Sequence, residues 1–118
     1  MNKRQRKKWL KKQGLYINPR EMWNLNVTLA KYIFPRLKLY KKLTIAYPIY
    51  GEADTFEKWH TVLDKMIWSF EQVANYYDGK EWDFDMTDPL WKEKLEAMNK
   101  RMSEGLMLFA KFFTHLGW

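Results

Sequence analysis

"TFEKWHTVLDKMIWSFEQVANY", residues 55–76, is the stretch that decides the fold. Phe56, Trp59, Leu63, Ile67, Phe70 and Val73 recur in steps of three and four, and Met66 and Ala74 widen the same stripe. That period belongs to an amphipathic α-helix with one face turned into a core. Asp54 or Thr55 can serve as its N-cap, and Glu57 suits the positive end of the helix dipole.

The same period extends on both sides. Upstream, Leu29, Ile33, Leu37 and Tyr40 recur at helical spacing across residues 26–43, with Asn24 or Asn26 as N-cap. Pro35 lies inside this run and has no N–H for an i→i−4 bond. The apolar phase continues across it, which predicts one kinked helix rather than two. Downstream, Asp88-Pro89 reads as N-cap and first turn of the longest helix, about 89–116. Its stripe is Trp91, Leu95, Met98, Met102, Leu106, Phe109 and Phe113. Strand signals are weak: only "LTIAYPIY" (43–50) alternates, and Pro48 demotes it. The expectation is an all-α fold, a small bundle of three main helices. Its core sets Trp59, Leu63, Ile67 and Phe70 against Leu95, Met98, Met102 and Phe109, and against Leu29, Ile33 and Leu37. A chain of 118 residues fits one domain, here 15–118, preceded by a basic N-terminal arm, 1–14.

The arm, "NKRQRKKWLKK" (2–12), carries seven Lys and Arg and no acid. These charges surround any helix formed there, and Gly14 ends it. Mutual repulsion predicts a frayed segment until a partner neutralises it. Residues 1–51 carry thirteen basic side chains against one acid, Glu21, a net of +12. Residues 52–118 carry eight against thirteen, a net of −5. Such asymmetry aims one part of the molecule at something acidic.

Catalytic and metal motifs are weak. Glu57 and His60 form a single Glu-x-x-His, whereas bundle di-metal sites use two together with two further carboxylates. Ser69 and Ser103 have no triad spacing. Gly51, Gly79 and Gly105 make no phosphate loop. Glu81, Asp83 and Asp85 lack the turn glycine and terminal glutamate of a calcium loop. The absence of cysteine removes disulfides, thiolate zinc sites and thiol nucleophiles. These readings point to a non-enzymatic protein with no cofactor and no metal. No run reaches the ~20 apolar residues of a membrane span, and no signal peptide is legible, so the expectation is a soluble cytoplasmic protein.

"WNLNVTLAKYIFPRLKLYKKL", "WHTVLDKMIWSFEQV" and "EGLMLFAKFFTHL", in that order over residues 23–116, resemble small uncharacterised helical proteins encoded by tailed bacteriophages. "LDKMIWSFE" and "EGLMLFAKFF" are the most specific pieces. The resemblance carries no catalytic residue. It implies a host-cytoplasm setting and a binding role toward host or defence machinery.

Two function classes lead. In the first, the protein engages nucleic acid or a nucleoprotein complex. Lys3, Arg4, Arg6, Lys7, Lys8, Lys11 and Lys12 of the arm would contact phosphates together with Lys31, Arg36, Lys38, Lys41 and Lys42, while Trp9 or Trp23 stacks on a base. In the second, it is a protein–protein inhibitor of a host or defence system, of anti-CRISPR type. There the nearly all-round apolar end, "GLMLFAKFFTHLGW" (105–118), makes a heterologous or homodimeric contact through Leu108, Phe112 and Trp118. Burial of that end within the monomer is the competing outcome. A membrane-surface role is weakest, because the basic segment has no apolar face.

Overall fold

The computed structural model describes residues 1–75 and 87–117. Its α-helices, in chain order, are α1 (Lys3–Lys12), α2 (Pro19–Met22), α3 (Leu25–Leu43), α4 (Phe56–Ala74) and α5 (Trp91–Phe112), the last continued by a 3-10 turn at Phe113–His115. The fold is all-α. Among the described residues the one β feature is an isolated bridge between Tyr50 and Ala53. The acidic stretch with Glu81, Asp83 and Asp85, and Trp118, lie outside the described residues.

The long helices lie in a row with α4 in the middle. Lys41 pairs with Asp64 and Lys38 with Glu71, so α3 and α4 run antiparallel. Trp59 meets Phe112 and Lys65 meets Glu104, so α4 and α5 do the same. α4 packs against both neighbours, whereas α3 and α5 do not pack on each other. α4 is therefore apolar over a wide arc, and Trp59, Val62, Leu63, Met66, Ile67, Ser69, Phe70 and Ala74 are all buried. The Thr55 hydroxyl accepts from Lys58 N–H and caps it, one of the two caps expected.

α3 is continuous through Pro35. One turn upstream, Arg36 stacks its guanidinium 3.5 Å from the Tyr32 ring centroid and donates to the Tyr32 carbonyl at 2.8 Å. α3 buries Val27, Ala30 and Leu37, with Ile33 partly covered. Leu29 corrects the expected core: it is half exposed, on another face.

α5 is also rotated from the expected phase. It buries Met102, Gly105, Leu108 and Phe112, while Leu106 and Phe113 are exposed. The cause is a close crossing. A Cβ on Gly105 would stand 1.9 Å from Ser69 Oγ and 2.4 Å from the Lys65 carbonyl oxygen, so only glycine allows this approach. The Ser69 hydroxyl donates to the Met102 carbonyl at 3.0 Å across the same contact. The helix also starts two residues later than the Asp88-Pro89 signal suggests. Asp88 Oδ1 accepts from Leu90 N–H at 2.9 Å and its other oxygen pairs with Lys94, so Asp88 closes the turn preceding α5.

Candidate nucleic-acid interface

α1 is a complete short helix with both ends closed, contrary to the frayed arm expected. Asn2 Oδ1 accepts from Gln5 N–H at 2.8 Å and Gln5 Oε1 accepts from Asn2 N–H at 3.0 Å, a reciprocal capping box. At the other end Gly14, at φ +70°, takes the left-handed position. There Leu15 N–H donates to the Leu10 carbonyl and Gly14 N–H to the Lys11 carbonyl, a Schellman pair. Lys11 and Lys12 sit at the negative end of the dipole. These terms oppose the repulsion among the cations. Two of those cations also share an aromatic ring: Lys7 and Lys11 approach the Tyr16 centroid to 5.3 and 5.2 Å.

α1 buries none of its residues and packs against no other helix. Lys3, Arg4, Arg6, Lys7, Lys8, Lys11 and Lys12 are all exposed, and none forms an ion pair among the described residues. Helical geometry puts Trp9 roughly 160° around from Lys7 and Lys11. The half-exposed indole therefore faces away from Tyr16 and shares a shallow concave surface with Met1, Gln5, Lys8 and Lys12. An aromatic face bordered by ammonium groups suits an unpaired base and its phosphates. Trp23, the other stacking candidate, is 74% exposed just before α3.

The α3 cations are in a different position. Lys41 Nζ lies 2.5 Å from Asp64 Oδ1, and Lys38 Nζ is 4.0 Å from Glu71. Arg36 is held on Tyr32. Lys42 is exposed, and Lys31 has interactions of its own. Charges that a linear reading assigns to one free basic face are thus partly spent on joining α3 to α4. Cross-helix pairing of this kind has no signature in a single sequence. Nothing packs α1 against α3, so the two basic helices do not form one packed unit.

Several of the domain's carboxylates are satisfied locally as well. The Lys111 ammonium hydrogen-bonds both oxygens of Glu52, at 2.8 and 3.0 Å, and holds that carboxyl below its ordinary pKa. Lys94 does the same to Asp88, aided by the Leu90 N–H. Asp54 pairs with Lys58, and Glu104 with Lys65. His60 lies against the Phe56 ring, with centroids 4.3 Å apart, and no group of three potential metal ligands gathers among the described residues.

The expected interface at the C-terminal end needs correcting. Leu108 is 8% exposed and Phe112 fully buried, wedged edge-on against Trp59 and beside Tyr50, because the Gly105 crossing rolls them inward. Leu106, Met107 and Phe113 are the large apolar residues exposed there. Among the described residues no helix is long and apolar enough to cross a membrane. No protein-family model, no curated protein and no solved structure matches the chain.

Proposed function

We propose that the protein is a non-enzymatic binder of nucleic acid, alone or within a nucleoprotein complex, and that α1 is the element that grips it. The observation that carries this reading is a doubly capped helix that packs on no other helix, with seven exposed cations, no carboxylate partner among the described residues, and a half-exposed tryptophan beside Lys8 and Lys12. α1 buries none of its residues, and polyphosphate is the partner its charge fits. Lysines seek phosphates without reading bases, so sequence preference is slight. Trp9 adds affinity where bases are unpaired, which favours single strands over duplex. The resemblance to small phage proteins would set this binding in a bacterial host.

The test is a titration of labelled single-stranded and duplex oligonucleotides across salt concentrations. Engagement of about six phosphates gives a log–log slope of roughly −4 on a single strand. Deleting residues 1–13 flattens that slope. Trp9→Ala weakens single-strand binding by about 1–3 kcal/mol and leaves the slope in place. Salt-insensitive binding, or binding that survives loss of residues 1–13, refutes the proposal.

A further inference from the structure

α3 carries a second apolar face that stands about half exposed and packs on no other described helix. Leu25, Leu29, Tyr32, Leu39 and Leu43 are each 49–60% exposed. With Arg36 they follow a 4-3-4-3-4 spacing, which places all six within about 80° of arc along the whole helix. That narrow, heptad-like seam is the geometry of a helix built to receive another helix. It lies well around from Leu37 and Ala30, which pack toward α4. Tyr32 and Arg36 also border a groove of about 340 Å³ floored by Leu37 and Phe109 and walled by Phe113, so the seam opens at its middle onto a pocket able to seat an anchoring side chain.

Charge selects the occupant. α3 has no acidic residue, and although Lys38 and Lys41 pair with carboxylates of α4, Arg36 within the seam and the exposed Lys42 meet no carboxylate among the described residues. A second copy laid parallel along the seam would oppose Arg36 to Arg36, and in either direction it would bring together two helices that carry basic side chains and no acid. Acyl chains of a bilayer would meet the Arg36 guanidinium at the centre of the apolar strip, and interfacial helices present a broader face than this. We infer that the outer seam of α3 docks an acidic amphipathic helix of a partner protein, with leucine-type side chains along the seam and a carboxylate opposite Arg36. This surface is on a different helix from the polyanion grip of α1 and is tested separately.

The probe is a three-heptad synthetic peptide with Leu at positions a and d and Glu at e and g, alongside an otherwise identical peptide bearing Lys at e and g. Binding to the full chain is followed by calorimetry. The Glu peptide should bind one to one and at least about tenfold tighter than the Lys peptide. Leu29→Glu combined with Leu39→Glu should weaken it at least about tenfold with an unchanged thermal midpoint, since both positions are already half exposed. Arg36→Gln should narrow the preference for the Glu peptide. Several results overturn the inference. Absence of Glu-peptide binding does so, as do equal affinities for the two peptides. Binding that ignores the double substitution would be charge capture by α1. A dimer of the protein alone that the double variant dissolves would assign the seam to a second copy. Binding to phosphatidylserine-containing vesicles that the double variant abolishes would assign it to a membrane.

Discussion

A methyl group added at Gly105 would meet the Lys65 carbonyl at 2.4 Å, and that backbone atom cannot swing aside as a side chain can. Gly105→Ala therefore forces α4 and α5 apart, despite the gain in helix propensity of about 1 kcal/mol that alanine brings. Urea unfolding should show a net loss of roughly 1–3 kcal/mol, the usual cost of overpacking a core. The Glu52–Lys111 pair makes a different prediction, in pH. The folded carboxyl of Glu52 has a lowered pKa, its largest cause the hydrogen bond from Lys111. Its contribution is then fully present above the unfolded carboxyl pKa and is lost as pH falls through the folded value. Wild type should melt above Glu52→Gln at neutral pH, and the two curves should converge as pH drops below about 4. The exposure of the pair keeps the neutral-pH gap small, and salt should shrink it further.

At the scale of the element, α4 was the most legible part of the sequence. Its apolar residues are buried from two sides, so the positions that periodicity flags from Trp59 to Ala74 are covered, Val73 only in part, while Phe56 at the helix start stays exposed. α5 was legible as a helix but not in phase, because a hydrophobic pattern gives glycine no weight and here a glycine sets the crossing. α3 was misread at Leu29 because it bears two apolar faces, and spacing alone does not say which one meets the domain. The charges of α1 could be read from composition. Its order could not, since that rests on the Asn2–Gln5 capping box and the Leu15–Leu10 hydrogen bond. These differences lead to a paired prediction. Removing residues 1–13 deletes a whole helix yet should change stability by less than about 0.5 kcal/mol, because no residue of α1 is buried. Leu63→Ala removes three carbons from a fully buried side chain and should cost about 2–5 kcal/mol. Thermal melts of the two variants compare them directly.

For the molecule as a whole, the Cα radius of gyration is 18.6 Å, against about 13.5 Å for a compact chain of this length. Its extents of 53 × 46 × 20 Å describe a slab two helix diameters thick, broadened by a helix that packs on no other. Small-angle X-ray scattering should return a radius well above the compact value, and removal of residues 1–13 should bring it down. A compact value for the full chain would mean that α1 folds back onto the domain. The row of helices has one more consequence, in time. Each long helix packs only on its neighbour in sequence, so the chain can assemble by closing one hairpin and then the next, without waiting for distant segments to meet. Topologies of that kind reach the native state within microseconds to milliseconds. The Tyr40 hydroxyl, which donates to the carbonyls of His115 and Gly117, spans 75 and 77 residues. That bond can form only after both hairpins have closed, so Tyr40→Phe should speed unfolding and leave the refolding rate almost unchanged.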